Sequence, residues 1–177
     1  MGPGARQSVA MSATDYDRLL IERLEHWQPD VRGTLLFLLD GDRVLLIRKK
    51  RGHGAGKVNG PGGKIDAGET PLQSALRETA EETGIEVRSA SLAAEFRFLD
   101  LTSLQWYGYV FVAEEWRGRL TETEEADPFW CPVAEIPFDA MWEDDRYWLP
   151  RVLAGERLRG DFLFDDGRLL AHRLSSL

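Results

Sequence analysis

Apolar residues recur at helical spacing in residues 14–27, which predicts an amphipathic helix ahead of the first core strand. Its apolar side carries Tyr16, Leu19, Leu20, Leu24 and Trp27. We expect residues 14–30 to pack on the following domain, with dimerisation or a partner surface as the alternative use of that side. Residues 1–10 are rich in glycine and polar side chains, so we expect residues 1–13 to be flexible, or in part the remnant of an expression tag.

Farther along, the pattern changes to that of β-strands. Two apolar runs, residues 34–39 and 43–49, flank Asp40-Gly41-Asp42 and predict a hairpin. Residues 92–100 and 104–114 also predict strands. Both faces of the second of these are partly apolar, which is typical of a strand inside a central sheet.

The C-terminal part combines strands with a short helix. Residues 128–136 form an apolar segment, and residues 145–153 predict a helix that Pro150 breaks or kinks. Residues 161–174 predict a hairpin that turns at Asp166-Gly167. The predicted fold class is therefore α/β (α+β): an α/β/α sandwich with a central mixed sheet, formed by residues 31–177.

Residues 71–83 predict the best-defined helix of the chain. Thr70 is the expected N-cap, Pro71 takes the first helical position, Gln73 completes a capping box and Gly84 supplies the stop. The apolar side of this helix consists of Leu72, Ala75, Leu76, Thr79, Ala80 and Thr83. We expect this side to lie on the core.

Three glutamates of this helix, Glu78, Glu81 and Glu82, fall within about one turn of each other, where like charges repel. Helical rotation places them opposite the buried side, with Arg77 at the edge. They face either solvent or a cleft. A solvated charged face is the simplest interpretation of such a cluster.

The residues before the helix favour a ligand site instead. Four glycines, Gly60, Gly62, Gly63 and Gly68, surround Pro61 in a loop whose backbone can approach a ligand closely. Its carbonyls can join carboxylates around a hard cation, which indicates Mg²⁺, or alternatively Mn²⁺. Because magnesium commonly binds together with phosphate oxygens, a phosphorylated substrate is expected.

A basic segment, residues 48–57, leads into this glycine loop with the sequence RKKRGHGAGK. Its cations either bind phosphate or are solvated side chains that protect a strand edge from aggregation. Lys49 is the candidate phosphate contact.

Composition is that of an ordinary globular enzyme with one domain: 177 residues, 43% of them hydrophobic. No apolar run is long enough to cross a membrane, and no signal peptide is recognisable. Cys131 is the single cysteine, which excludes an internal disulfide and favours the cytoplasm; no nearby histidine supports it as a catalytic thiol. A net charge of −8 argues against stable nucleic-acid binding.

The combination of Gly63, Glu69 and the run from Arg77 to Ile85 resembles the signature of the Nudix hydrolases, which cleave nucleoside diphosphates linked to another moiety. The resemblance implies a Nudix-type sandwich and a Mg²⁺ site. Its implied metal ligands are Glu78, Glu81, Glu82, Glu125 and the carbonyl of Gly62. Glu125 is either a ligand or a base, unless it is a solvated loop acid. Arg77 would orient the glutamates and Glu69 would fix the loop. Thr79 departs from the family, which usually has an aliphatic residue there, but its methyl group can pack inward.

A second resemblance, from about Thr34 to Leu174, is to the mammalian-type hydrolases of oxidised purine nucleoside triphosphates. It implies a base pocket in which Trp142 stacks on the purine while Asn59, Asp144 and Asp145 bind its edge. The candidate substrate-binding residues are Thr34, Lys49, Asn59, Pro61, Gly62, Gly63, Lys64, Trp142, Glu143, Asp144 and Asp145. Without the resemblance, residues 141–148 are an acidic helix start with two core tryptophans. His53 and Val58 replace aromatic residues of those enzymes, and Ala126 replaces a larger apolar one, which implies a wider pocket.

The activity that these resemblances imply is hydrolysis of an oxidised purine nucleoside triphosphate such as 8-oxo-dGTP to the monophosphate and pyrophosphate. One alternative is a sibling Nudix enzyme that acts on a nucleotide sugar or on a 5′-triphosphorylated RNA end. Another is a non-catalytic module that senses a nucleotide. The chain is expected to act as a monomer or a homodimer.

Overall fold

Two β-sheets and three α-helices make up residues 11–177, the part of the chain that the computed structural model describes. The helices are α1 (Ala13–Leu24), α2 (Pro71–Thr83) and α3 (Asp145–Leu153). The strands are β1 (Val31–Phe37), β2 (Leu39–Asp40), β3 (Arg43–Lys49), β4 (Val58–Asn59), β5 (Gly62–Lys64), β6 (Glu86–Asp100), β7 (Trp106–Arg117), β8 (Ala126–Pro132), β9 (Leu158–Asp165) and β10 (Arg168–Ser176). Residues 1–13 were predicted to be flexible; residues 1–10 lie outside the described residues, whereas Ser12 caps α1 and Ala13 is its first residue, so the flexible segment was predicted too long.

The main sheet has six strands in the order β10-β9-β6-β7-β1-β5. Pairs β1–β7 and β6–β9 are parallel and the other pairs are antiparallel, which confirms the predicted mixed sheet. A second sheet, in which β3 pairs with β2, β4 and β8, was not predicted.

Helices cover both faces of the main sheet. On one face Phe96 and Phe162 pack together, and Phe96 also contacts Trp148 of α3. On the other face α1 places Leu20 against Leu99 and Leu163, while α2 lies on β1, β5 and β6. This arrangement confirms the predicted sandwich. None of the helices in residues 11–177 has the length and apolar character that a membrane crossing requires.

The predicted hairpin of residues 34–39 and 43–49 is only partly correct. Its turn exists, since Asp40 pairs with Arg43, but β1 ends at Phe37 and belongs to the main sheet, where it pairs with β5 and β7. Leu36, Phe37 and Leu38 are all fully buried. A continuous apolar run cannot indicate by itself where a chain passes from one sheet to another.

Helix α3 continues through Pro150, so the predicted break is wrong. Proline removes the hydrogen bond to the carbonyl of Arg146, but that residue is exposed and water can replace the lost donor. The β9–β10 hairpin turns at Asp166-Gly167 as predicted, with φ of 47° and 78°. These two left-handed residues give the turn the twist that a two-residue hairpin needs. Helix α1 is shorter than predicted and ends at Leu24, although Trp27 still packs beside it.

The predicted caps of α2 are confirmed. The Thr70 hydroxyl accepts a hydrogen bond from the Gln73 N–H, the Gln73 side chain accepts one from the Thr70 N–H, and Gly84 has a φ of 75°. Thr79 is fully buried and donates its hydroxyl to the Ala75 carbonyl over 2.8 Å, so its polar atom is satisfied.

The predicted sides of α2 are only partly confirmed. Ala80 was placed on the buried side but is exposed. Of the two alternatives for Glu82, solvent or a cleft, the structure excludes solvent, because its side chain is only 1% exposed beneath the glycine loop. The buried face of α2 is rotated toward Glu82 because the glycine loop, as well as the sheet, covers this helix.

Candidate active site

The glycine loop lies against both β1 and α2 at distances that exclude side chains. A Cβ atom on Gly62 would stand 1.9 Å from the Thr34 carbonyl oxygen, and one on Gly63 would stand 2.3 Å from the carboxyl carbon of Glu78. Both glycines belong to β5, which pairs with β1. Glycine is therefore required at both positions to bring backbone and carboxylate together.

Three glutamates meet beside this loop. Carboxylate oxygens of Glu78, Glu82 and Glu125 all lie within 4.8 Å of one another. Glu82 accepts a 2.9 Å hydrogen bond from the Gly62 N–H, and the Lys49 ammonium lies 3.7 Å from its other oxygen. Helix α2, the loop before β8 and the end of β3 thus converge on one acidic cluster, defined here as these three glutamates.

Burial disfavours charge on this acidic cluster. Burial, together with the smaller effects of the Glu78 and Glu125 charges, raises the pKa of Glu82 to about 7, against the opposing effects of the Gly62 N–H and Lys49. Burial also raises the pKa of Glu78, although Arg77 opposes this. A hard divalent cation would compensate such charges, and three converging carboxylates are the oxygen donors that it prefers. The residues present therefore fit a metal of this kind.

Glu81 does not join the acidic cluster, although the signature predicted it as a ligand. Its side chain is 52% exposed and pairs with Arg77 over 3.1 Å. This pair spans one helical turn and draws the carboxylate along the surface of α2.

Arg77 links the helix to the loop. Its guanidinium binds both carboxylate oxygens of Glu69, at 2.7 and 2.9 Å, and lies 2.9 Å from Glu78. The Arg77 guanidinium lowers the pKa of Glu69 to about 2. Glu69 in turn accepts the N–H of Asp66, so Arg77 connects the residues after β5 to the acidic cluster.

The loop that carries Glu125 is held by the basic segment. Arg51 lies 2.6 Å from the Glu125 carboxylate, and the Lys50 N–H donates to the Glu125 carbonyl over 2.9 Å. Arg51 was not among the predicted site residues. Only its position in the basic segment could have indicated it.

A stack of three rings lies at the far end of the same basic segment. The imidazole of His53 stacks on Trp142, with ring centroids 5.2 Å apart and an interplanar angle of 16°. It also stacks on Trp106, at 4.9 Å and 24°. The ammonium groups of Lys57 and Lys64 lie 4.7 Å from the Trp142 ring centroid and 5.7 Å from the Trp106 ring centroid. Trp142 and Lys64 were predicted to bind substrate, whereas Trp106 was read only as a strand residue.

The predicted aspartates follow Trp142 in sequence and lie at the start of α3. Asp144 and Asp145 are each 3% exposed. Asp144 accepts a 2.8 Å hydrogen bond from the Trp148 indole N–H, and Asp145 accepts a 3.1 Å bond from the Trp142 backbone N–H. The start of α3 therefore fixes Trp142 and the two carboxyl groups relative to one another.

The remaining predicted residues differ in their surroundings. Asn59 accepts the Gly60 N–H through its side-chain oxygen, which leaves its amide N–H groups without a partner in residues 11–177. The Thr34 hydroxyl is buried and likewise lacks a hydrogen-bond partner in that part of the chain. Pro61 is buried and its carbonyl accepts from Leu36. The Glu143 carboxylate accepts the Leu169 N–H on β10 over 2.9 Å.

Residues 29–152, well over half of the chain, match the model of the NUDIX domain family. The chain belongs to the Nudix family. It is 40% identical to the oxidized purine nucleoside triphosphate hydrolase of Mus musculus over 134 residues, which cover 75% of this chain and 86% of the mouse protein. The Danio rerio protein of the same name is 39% identical over 147 residues, with coverage of 81% and 94%. The crystal structure of a mutator MutT protein from Bacillus halodurans is similar with a TM-score of 0.73 and 33% identity, and covers 82% of this chain and 97% of that one.

This Nudix protein is thus a hydrolase by family, and the predicted family resemblance is confirmed. The family signature occupies α2 and the glycine loop. The ring stack lies outside the signature.

The aspartate pair of this Nudix hydrolase does not readily carry two charges. Burial raises the pKa of Asp144 to about 6, and burial together with the charge of Asp144 raises the pKa of Asp145 well above its ordinary value. One proton shared by the pair relieves the repulsion. A protonated carboxyl group can donate a hydrogen bond to a carbonyl oxygen.

This pair should make the stability of the Nudix hydrolase depend on pH. Both carboxyl groups bind protons more tightly in the folded state, so their unfavourable contribution is absent below the ordinary pKa of 3.8, grows as the pH rises from there toward the folded-state pKa of about 6 for Asp144, and is present at pH 8. Asp145→Asn keeps an oxygen for the Trp142 N–H and removes one charge. We expect it to raise Tm by roughly 3–8 °C at pH 8.

The measurement is thermal unfolding of wild type and Asp145→Asn at pH 4 and pH 8. The difference in Tm between the two proteins should shrink at pH 4, where the aspartates are protonated. A difference independent of pH, or a variant less stable at pH 8, would contradict the assignment of a shared proton.

Proposed function

We propose that this Nudix hydrolase converts oxidised purine nucleoside triphosphates, such as 8-oxo-dGTP, to the monophosphate and pyrophosphate, and so removes damaged nucleotides from the cytoplasmic pool. The names of its mouse and zebrafish relatives support this substrate class. One structural observation carries the proposal further: a single basic segment contacts both subsites. Lys49 reaches the acidic cluster, while His53 and Lys57 reach Trp142. A triphosphate bound at the cluster would thus have its base near an indole.

The acidic cluster would hold Mg²⁺, with Mn²⁺ as an alternative, through Glu78, Glu82 and Glu125 and the carbonyl of Gly62. A bound divalent cation supplies neutralisation of phosphate charge and acidification of a water molecule. Lys49 adds a positive charge beside Glu82 for the phosphate chain.

The chain's own residues position the reactants. Arg77 keeps Glu78 directed toward the glycine loop, and Arg51 holds Glu125 at the rim of the cluster. Water attacks the α-phosphorus and its proton passes to a carboxylate such as Glu125, while the bond from that phosphorus to the oxygen bridging the α and β phosphates breaks and pyrophosphate leaves with this oxygen. The half-exposed position of Glu125 suits such a base, because it is open to water while the other two glutamates are more enclosed.

Base recognition is assigned to the three-ring site. Stacking on Trp142 would contribute about 1–3 kcal/mol per base. The protonated member of the Asp144–Asp145 pair would donate to the carbonyl of an oxidised base, and the unpaired amide N–H groups of Asn59 would donate to a second acceptor. A purine that lacks the matching acceptor would leave this buried protein donor without a hydrogen-bond partner. The resulting cost in binding free energy would favour the oxidised purine over the ordinary one.

A substrate panel tests the proposal. Turnover is measured with Mg²⁺ on 8-oxo-dGTP, dGTP, a nucleotide sugar and a 5′-triphosphorylated RNA, and the products are identified. The proposal requires kcat/KM to be highest for the oxidised purine, with pyrophosphate as product. Preference for the sugar nucleotide or the RNA end would assign the chain to a sibling activity, and nucleotide binding without turnover would favour a sensing role.

Magnesium should raise the melting temperature of the free protein. The cation would bind the acidic cluster only in the folded state, so at about 100 times its Kd the stabilisation is about 2.7 kcal/mol, or several degrees. Thermal unfolding with millimolar MgCl₂ measures the shift, with NaCl of equal ionic strength as the control. Glu82→Gln should lose most of it. An equal shift in this variant, or none in wild type, would favour a solvated acidic face.

A further inference from the structure

We propose that His53 occupies the base slot of the free enzyme, between Trp106 and Trp142, and that the purine must displace it to bind. His53 would then determine how tightly and how selectively bases are held. This inference rests on the proposed function, because it takes the ring stack as the base site. It adds a residue whose side chain competes with the substrate.

The ring geometry is that of an occupied slot. The imidazole is within 24° of parallel to both indoles, at centroid distances of 4.9 and 5.2 Å. No direct ring contact between Trp106 and Trp142 occurs in the described part of the chain, so the imidazole is what joins them. Flat rings at such spacing interact favourably, and a purine presents the same kind of surface to the same two indoles.

The chemistry of the side chain matches that of its competitor. An imidazole is the five-membered ring of a purine. Partial burial lowers the pKa of His53, and the nearby charges of Lys49 and Lys64 lower it further, which favours the neutral ring. A neutral flat heterocycle therefore stands where a neutral base would stack.

The surrounding backbone can release His53 at low cost. Gly52 and Gly54 flank it with φ of 79° and 78°, and Gly56 follows with 88°. The residue is exposed overall, so its side chain can leave the stack toward solvent. The segment is closed at its base, where Lys49 and Lys57 pair through their backbones over 3.0 Å. Displacement can be confined to the tip while Lys49 and Lys57 keep their places.

Competition from His53 lowers the apparent affinity of the enzyme for the purine, because only enzyme molecules in which the imidazole has left the slot can bind the base. Two aromatic contacts hold the imidazole, so His53→Ala should lower KM for 8-oxo-dGTP roughly five- to thirty-fold. Turnover number should not change, since the acidic cluster is untouched. His53→Phe keeps a flat ring in the slot and should restore a KM at least as high as that of wild type.

The kinetic comparison uses wild type, His53→Ala, His53→Phe and the control His26→Ala, an exposed histidine whose ring contacts neither Trp106 nor Trp142. A lower KM in His53→Ala alone, with unchanged kcat, supports the proposal. An unchanged or higher KM in that variant overturns it, because His53 would then be inert or would form a wall of the pocket.

Nuclear magnetic resonance observes the displacement without turnover. Ring currents of two indoles should shift the His53 Cε1 proton upfield, with His26 as internal reference and His53→Ala for assignment. We expect 8-oxo-dGMP, the product of the proposed reaction, to move this signal toward that of His26 and to shift the indole N–H of Trp142.

The outcomes separate the two hypotheses. If the His53 and Trp142 signals both move, the result supports the base site and the displacement of His53. If the Trp142 signal moves while the His53 proton stays upfield, the displacement is wrong and the base site stands. If neither signal responds at millimolar 8-oxo-dGMP, the base site fails and the displacement fails with it.

Discussion

Replacing Glu82 with glutamine lowers kcat/KM by roughly 10³-fold or more and leaves the fold intact. The carboxylate belongs to the acidic cluster and is 1% exposed, and its loss removes a negative charge that would hold the cation, which in turn would bind the phosphates. The amide oxygen of glutamine still accepts the Gly62 N–H. Since burial raises the pKa of Glu82 to about 7, removing this charge should not destabilise the protein.

Two comparison variants make this result specific. Glu115→Gln removes the same charge from an exposed strand position and should retain wild-type rates. Glu81→Gln should cost less than Glu82→Gln, because Glu81 pairs with Arg77 outside the cluster. Wild-type rates in Glu82→Gln, with Tm unchanged, would show that Glu82 is not part of the catalytic site. Equal losses at Glu81 and Glu82 would mean that Glu81 moves into the cluster when substrate binds.

Helix α2 and its glycine loop were predictable because their signals are local. Thr70, Gln73 and Gly84 act within a few residues of where they stand, and the helical period follows from sequence spacing alone. The same holds for the Asp166-Gly167 turn, where only the backbone conformation of two residues is at issue.

The burial of Glu82 was not predictable in this way. Helical spacing places Glu82 only about 20° around the helix from Ala75, so its direction follows from the helical period, but its depth of burial does not, because the group that covers it is Gly62, which is distant in sequence and close only after β5 pairs with β1. The second sheet escaped prediction for a related reason. Whether an apolar run such as Leu36 to Leu38 belongs to one sheet or two depends on partners elsewhere in the chain.

The ring stack shows the limit of a family resemblance. Trp142 could be carried over from a motif, whereas Trp106 lies on β7 with no local feature that distinguishes it from a core residue. For His53 the sequence shows only that a histidine replaces an aromatic residue of the resembling enzymes. Its stacking on both indoles depends on the turn of the glycine-rich segment, which the three positive-φ glycines permit but do not specify.

Asp144→Asn should lower the preference for 8-oxo-dGTP over dGTP by roughly five- to 150-fold, the ratio that corresponds to a lost buried hydrogen bond of about 1–3 kcal/mol. The substituted side chain can still accept the Trp148 indole N–H through its oxygen, so the start of α3 should persist. What it removes is the proton shared with Asp145. Since the acidic cluster is formed by other elements, the phosphate chemistry should be affected much less than the choice of base.

The decisive assay compares kcat/KM for 8-oxo-dGTP, dGTP and an oxidised dATP in wild type, Asp144→Asn, Trp142→Ala and the control Asp139→Asn, an exposed aspartate paired with Arg146. Trp142→Ala should lower kcat/KM for all three nucleotides, because it removes the stacking surface. Asp144→Asn should change the ratios of kcat/KM between them. In wild type the ratios should also vary with pH near 6, where the pair gains or loses its proton, and this variation should be absent in Asp144→Asn. Identical ratios in all four enzymes would place base recognition elsewhere, because no pocket that reads the base edge through Asp144 could lose that carboxylate and discriminate as before.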